Sequence, residues 1–154
     1  MRYVGYVIGV IWSMLHTLFG LLLVLIYWPR SIRWRKGCIE MVATRIIGFK
    51  KPASGAQTHG IIIYGTDLAA LNNIPLGVHE RKHVIQGFVL GPFYPIAYVL
   101  HFLVLYVKVK AGWTDGIGTG AAWKRAYRMI VFERQARRAE IAYESGNAPD
   151  AWGS

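Results

Sequence analysis

The sequence predicts a mainly helical α+β membrane protein, and three observations point to this class. Of the 154 residues, 54% are hydrophobic. Only 17% are charged, whereas soluble domains usually carry about a quarter charged residues. Tyr3–Trp28 is a run of 26 residues without Asp, Glu, Lys or Arg. Short β-branched segments separate this run from a second uncharged run at 88–107. The length suits one domain with a modest core.

The first apolar run predicts an N-terminal transmembrane helix, because a bilayer is crossed by about 20 apolar residues. Tyr27 and Trp28 lie where an aromatic belt is expected, and Pro29 ends the helix. No small-residue cleavage site is visible, so we expect an uncleaved anchor over residues 1–29. Four basic residues follow within seven positions, which predicts that the next segment faces the cytoplasm.

Residues 37–65 predict a small β-sheet of two or three strands. Cys38–Ala43 alternates imperfectly between apolar and polar residues, and His59–Tyr64 is rich in β-branched and aromatic residues. An edge strand of such a sheet is suited to pairing with an extended peptide substrate. His59 is either a metal or substrate contact or a structural histidine at a strand end.

The stretch from His79 to His83 reads H-E-x-x-H, a motif of zinc-binding helices. Side chains four residues apart lie on one face of a helix, so His79 and His83 can bind one ion. Glu80 lies about 100° further round the helix. There it can take a proton from a metal-activated water without binding the metal. The motif therefore predicts zinc ligands at both histidines and a catalytic base at Glu80.

Pro75 is well placed to begin the motif helix, and its polar stripe continues to Gln86. Gln86 is therefore a candidate for substrate contact or for orienting a ligand. Arg81 and Lys82 are expected to point toward lipid headgroups or solvent. The helix continues into the apolar segment 88–107, where Gly91-Pro92 and Pro95 predict a kink, so this segment could span or re-enter the membrane.

The last predicted element is an amphipathic helix over 121–144. Its apolar face comprises Ala122, Trp123, Ala126, Ile130 and Ile141. Glu133 falls on this face, where a carboxylate is costly unless something pairs with it. A metal ion would do so, and so would Arg137 one turn further on. Tyr127 lies near the face of Glu133 and is a candidate contact for the substrate oxygen or for the membrane interface.

The motif together with Phe132-Glu133-Arg134-Gln135-Ala136 resembles the gluzincins, the thermolysin-like zinc metallopeptidases. The wider pattern over residues 57–144 is also similar to that of small bacterial zincin-like membrane proteins. The resemblance implies that Glu133 is the third zinc ligand and that the protein hydrolyses peptide bonds. One departure is Arg137, which stands where gluzincins often have a supporting aspartate.

Two other functions are compatible with the sequence. His16 and His101 lie in apolar segments and could ligate a haem, or the histidines could belong to a di-iron site. The chain could also be a non-catalytic membrane adaptor that keeps the motif as a pseudo-enzyme.

These features predict an anchor over 1–29, a zincin-like domain over 30–146 and a flexible tail over 147–154. Lys108, Lys110 and the basic residues of the last helix resemble a cytoplasmic segment, so we expect the chain to return to the side it left. The predicted location is the cytoplasmic face of the cell membrane. The net charge of +10 favours anionic lipid as a partner over nucleic acid, because so much of the chain is apolar. The other expected partners are a peptide or protein substrate and an oligomer or membrane partner.

Overall fold

The computed structural model describes residues 2–43, 45–46, 55–112 and 118–147. Most of them are helical, with one small sheet, as predicted. The helices are α1 (Arg2–Trp12), α2 (Met14–Leu22), α3 (Val24–Tyr27), α4 (Leu68–Asn72), α5 (Ile74–Leu90), α6 (Tyr94–Lys110), α7 (Thr119–Met129) and α8 (Val131–Glu144). The strands are β1 (Pro29–Arg35), β2 (Cys38–Ala43), β3 (Ala56–His59) and β4 (Ile62–Gly65). The predicted tail, residues 147–154, lies outside the described residues beyond Asn147.

The first apolar run is bent rather than straight. Tyr3–Trp12 and Met14–Tyr27 meet at 62°, with the break at the buried Ser13. The bend turns α2 and α3 onto the sheet, and Leu23 and Tyr27 enter its core. The opposite surface of these helices exposes large apolar side chains, among them Val4, Val7, Ile8, Ile11, Leu15, Leu18, Leu22 and Leu25.

The sheet has four strands in the order β1-β2-β4-β3, whereas the sequence predicted two or three. β1 pairs antiparallel with β2, β2 parallel with β4, and β4 antiparallel with β3. The segment predicted as one strand over His59–Tyr64 is instead a hairpin that turns at Gly60. Strand β1 was not predicted, because its apolar residues Ile32 and Trp34 face outward. Its Arg33 faces inward instead, with Nε 2.6 Å from Oε2 of the buried Glu40.

Helix α2 is joined to the β3–β4 hairpin by three polar contacts. The backbone N–H of Gly60 donates to His16 Nδ1 at 3.2 Å, and that of Ile61 donates to Thr17 Oγ1 at 3.3 Å. The hydroxyl of Tyr64 donates to the carbonyl of Gly20 at 2.8 Å. The predicted anchor and the sheet therefore share one core and one hydrogen-bond network.

Helix α5 begins where the sequence predicted. Asn73 caps it by accepting from the N–H of Leu76 at 2.9 Å, and Pro75 lies in the first turn. The helix is buried on nearly all sides by α1, α4, α8 and β3. This corrects the expectation for Arg81, which is only 2% exposed. Its guanidinium folds back over Gly77, where a side-chain carbon would lie 3.1 Å from Nη1.

Helices α7 and α8 bring the chain back to α5. A 3-10 turn at Gly91–Phe93 links α5 to α6, α7 packs on α6, and α8 packs on α5. The predicted single helix is divided at Ile130, which is extended (φ −55°, ψ 131°) and fully buried. This break redirects α8 onto α5. It also leaves Trp123 and Ile141 of the predicted apolar face exposed.

Among the described residues, the run Ile74–Lys110, in which the 3-10 turn joins α5 to α6, is the one helical run long and apolar enough by itself to cross a membrane. The bent pair formed by α1–α3 becomes a second candidate if it is taken as one span. In the most apolar 18-residue stretch of Ile74–Lys110, only 17% of the residues are buried, so its apolar side chains largely face outward.

We expect Gly60→Ala to destabilise the protein more than Gly112→Ala. Both glycines have positive φ (61° and 87°), where a side chain costs about 1–2 kcal/mol. A β-carbon at Gly60 would also lie 2.7 Å from the backbone N of Thr17, whereas nothing lies within 4 Å at Gly112. Overpacking of this kind adds about 1–3 kcal/mol. Thermal unfolding in detergent measures the difference, and equal losses for the two variants would show that α2 does not press on this turn.

Candidate metal centre

Helix α5 brings the two motif histidines together. Their rings are 5.0 Å apart between centroids, and the two Nε2 atoms are separated by 3.2 Å. Both side chains are buried, at 6% and 7% exposed. The four-residue spacing thus aims both Nε2 atoms at one point inside the protein.

Glu133 reaches the same point from α8. Its Oε2 lies 3.4 Å from His79 Nε2, and its Oε1 lies 3.3 Å from His83 Nε2. Glu133 is 3% exposed. His79, His83 and Glu133 form a buried group that can hold a metal ion, with one donor atom from each within 4.8 Å of the others.

Hydrogen bonds fix which ring nitrogen of each histidine carries the proton. His79 Nδ1 lies 3.1 Å from Glu140 Oε2, and a carboxylate can only accept. His83 Nδ1 lies 2.8 Å from Gln86 Oε1. The Gln86 amide is oriented by its Nε2, which donates to the Phe132 carbonyl and to Gln135 Oε1, each at 3.1 Å. Both imidazoles therefore carry hydrogen on Nδ1, and their Nε2 atoms face Glu133.

The donor atoms of this cluster are separated by the distances expected around a small cation. Two nitrogen lone pairs and a carboxylate meet at 3.2–3.4 Å. Ligands about 2.0–2.1 Å from a tetrahedral metal stand about 3.3–3.4 Å apart. Glu133 Oε2 is also buried without a hydrogen-bond partner. A divalent metal would satisfy that oxygen and remove the repulsion between the lone pairs.

In the metal-free chain, protons on the imidazoles relieve the same repulsion. Burial by itself raises the pKa of Glu133, but hydrogen bonds from His79 and His83 and the charge of His83 outweigh it. A hydrogen bond from the Tyr98 hydroxyl to Oε1, at 2.6 Å, acts in the same direction. The pKa of Glu133 is thus held well below its usual range. Metal and protons therefore compete for these atoms.

Glu80 lies beside the group and is held by the sheet. The hydroxyl of Thr58, in edge strand β3, donates to Glu80 Oε2 at 2.6 Å. Glu80 is 5% exposed and is not one of the three clustered donors. Thr58 does not bind the other carboxylate oxygen of Glu80, Oε1. Nothing in the sequence around Thr58 signalled this contact, since it joins residues 22 positions apart.

The other predicted site residues, Gln86 and Tyr127, also lie close to the group. Gln86 accepts from His83 and links it to α8, as described above. Tyr127 is 40% exposed, yet burial of its hydroxyl raises its pKa, and the carboxylates of Glu133 and Glu80 raise it further. At neutral pH its hydroxyl is therefore protonated and able to donate a hydrogen bond near the carboxylates.

Besides Thr58, the sequence analysis missed three site residues: Tyr94, Tyr98 and Glu140. The hydroxyl of Tyr94 donates to Gln86 Oε1 at 3.2 Å and lies 3.0 Å from His83 Nδ1. The hydroxyl of Tyr98 donates to Glu133. Their four-residue spacing on an otherwise apolar segment was the available signal. Glu140, two turns beyond Glu133, accepts a hydrogen bond from His79 Nδ1 at 3.1 Å. Arg137 is exposed, and the ion pairs of Glu133 within the described part of the chain are with the two histidines.

The remaining histidines lie outside the clustered group. His16 accepts from the β3–β4 turn, and its ring lies 5.6 Å from that of His59. Burial, and to a lesser degree the neighbouring His16, lower the pKa of His59 to about 4. His101 accepts from the N–H of Val131 at 3.4 Å, at the start of α8. His16 and His101 thus bind backbone groups of different elements, as structural histidines do.

We expect Glu140→Gln to weaken metal binding about 10- to 100-fold, because a ligand histidine exchanges a charged carboxylate, which raises its basicity, for a neutral amide. Glu144→Gln is the matched control, since Glu144 is an exposed acid on the same helix. Competition with a chromophoric chelator measures both affinities. Equal affinities for the two variants would contradict the role of Glu140.

Comparison with protein-family models, with curated proteins and with solved structures finds no match to this chain.

Proposed function

We propose that the protein is a membrane-anchored zinc metallopeptidase that hydrolyses peptide bonds at the cytoplasmic face of the membrane. The observation that carries the proposal is the convergence of two imidazole nitrogens and a buried carboxylate, each within 4.8 Å of the others, beside the Glu80 carboxylate. Glu133 Oε2 has no hydrogen-bond partner, and coordination of a metal would satisfy it.

The donor set supports zinc as the metal. Two imidazole nitrogens and one carboxylate are common ligands of catalytic zinc, which keeps its fourth position open. Magnesium and calcium prefer six or more oxygen ligands. The resemblance of the motif and of Phe132-Glu133 to the gluzincins points to the same metal.

Glu80 is placed to move protons during hydrolysis. Zinc, when bound, would polarise the attacking water and the substrate carbonyl. Glu80 takes a proton from the water through the oxygen that Thr58 leaves unused, and gives a proton to the departing amine. Thr58 holds the carboxylate in place while this happens. The Tyr127 hydroxyl, which is protonated at neutral pH like any tyrosine, is a candidate hydrogen-bond donor to the developing oxyanion.

The position of β3 supports a peptide as the substrate. This strand lies at the edge of the sheet, and its residue Thr58 touches the catalytic base. An extended peptide that adds to this edge would be held by backbone hydrogen bonds beside Glu80. Peptide cleavage is therefore favoured over chemistry on a small molecule.

Substitution of the two central acids separates metal binding from catalysis. We expect about one Zn²⁺ per chain in the wild type, strongly reduced zinc in Glu133→Ala, and full zinc in Glu80→Gln. Hydrolysis of a fluorogenic peptide library should fall about 10²- to 10⁴-fold in Glu80→Gln, because the proton acceptor is lost. Elemental analysis and the peptide assay measure both effects.

Glu144→Ala provides the control for Glu133→Ala, because it removes an exposed acid from the same helix. Unchanged zinc in Glu133→Ala would reject the ligand set. Zinc binding with no hydrolysis of any peptide would favour the adaptor, and a haem absorption band in the purified protein would favour the electron carrier.

The apolar outer surface of α1–α3 and the basic residues after it support the proposed membrane location. Cysteines introduced at Arg30 and Arg138, both exposed, test the side on which the site lies. In a Cys38→Ala background we expect both to react with an impermeant maleimide in inside-out vesicles and neither in intact cells. Labelling of the two positions from opposite sides would place Glu133 across the membrane from the anchor end.

A further inference from the structure

Helix α6 has two faces of different character. Four residues at i, i+4, i+7 and i+11 form one outward stripe, which we call the α6 stripe: Ile96, Leu100, Leu103 and Val107. Their side chains are 48–62% exposed. The opposite face is covered, and its buried residues are Tyr94, Phe102, Leu105 and Val109. An apolar stripe of this length on a single helix is not expected to face water.

Helix α7 lies alongside the middle of α6 and carries exposed charges. The Trp123 ring is 4.4 Å from that of Phe102, and the N–H of Val131 donates to His101. Arg125 and Arg128 fall between these contacts, so they lie level with the centre of α6, and both are exposed.

A membrane-crossing orientation of α6 conflicts with these charges. If α6 ran across the bilayer, the centre of α6 would lie in the hydrocarbon, and so would Arg125 and Arg128. Charged side chains at that depth are costly unless they face the protein interior or water. A helix lying in the plane of the membrane avoids the conflict, because its apolar stripe enters the lipid while α7 stays above it.

We propose that α6 lies along the membrane surface, with the α6 stripe in the lipid and α7 on the aqueous side. Lys108 and Lys110, exposed at the end of α6, then lie at the level of anionic headgroups, whose charge they complement. The occupant of the stripe is the bilayer. This inference rests on the membrane association proposed above and not on the peptidase chemistry.

The orientation also sets the height of the metal group. Tyr98 binds Glu133 from the covered face of α6, opposite the stripe. The group therefore lies on the aqueous side of α6, about one helix diameter (about 10 Å) from the lipid-facing surface. Peptide segments close to the membrane surface are the substrates that this position favours.

Spin labels along the stripe distinguish the orientations. Single cysteines replace Ile96, Leu100, Leu103 and Val107 in a Cys38→Ala background, and the protein is placed in vesicles with one-third phosphatidylglycerol. Relaxation by oxygen and by a water-soluble nickel complex gives the depth of each label. We expect four similar depths in the lipid, whereas a crossing helix would separate the first and last labels by about 16 Å. A label at Arg125 should be accessible to the nickel complex.

Each alternative outcome overturns the proposal. Depths that increase along the stripe mean that α6 crosses the membrane, and four labels shielded from oxygen mean that protein, such as a second copy, covers the stripe. Zinc content and peptide hydrolysis of the same variants are measured in parallel. They report on the proposed enzyme independently, because the four side chains point away from the metal group.

Discussion

The mutual repulsion of two imidazole lone pairs and a carboxylate in a dry site is the constraint on which the structure depends. The Nε2 atoms of His79 and His83 lie 3.2 Å apart, and Glu140 and Gln86 bind the two Nδ1 atoms. Such an arrangement persists only if a cation or added protons compensate it. Glu133 supplies negative charge but also leaves an oxygen without a partner. The cluster can therefore hold a metal ion, which would compensate this charge and satisfy the free oxygen.

The path of the chain after α5 follows from the same requirement. Glu133 is 50 residues from His83 in the sequence, and α6 leads away from the site. The return along α7 and the extended residue Ile130 bring α8 back onto α5. The hydrogen bonds around the histidines then connect three helices. Gln86 joins α5 to α8, Tyr94 joins α6 to α5, and Tyr98 joins α6 to Glu133 of α8. Occupation of the site would tighten the contacts of α5, α6 and α8 together.

Local sequence patterns predicted the features that depend on spacing within one element. The start of α5 at Pro75, the common face of His79 and His83, and the unusual acid at Glu133 all follow from helical periodicity. The features that depend on contacts distant in sequence did not follow from it. Thr58, Tyr98 and Glu140 reach the site only through tertiary packing. Arg81 was assigned to the surface because it is charged, whereas neighbouring elements enclose the whole helix.

The bend and the extra strand have a similar explanation. An uncharged run predicts a helix but contains no information about whether it stays straight, and Ser13 is too common in apolar helices to mark a break. Strand β1 reverses the usual placement of apolar residues inside and charged residues outside. Its arginines face inward and bind Glu40 and the end of α4. Its pattern therefore suggests a basic flank to an anchor rather than a strand.

The contacts of α2 with the β3–β4 turn make the first helices an internal part of the molecule. His16, Thr17 and Gly20 bind the same hairpin whose edge strand carries Thr58, two residues before Gly60. A protease that removed the first 28 residues would expose Ile62 and Tyr64 and release the strand that holds Glu80. For the membrane-anchored peptidase proposed above, loss of these helices would therefore mean loss of activity rather than release of a working soluble fragment, and its substrates would have to share the membrane.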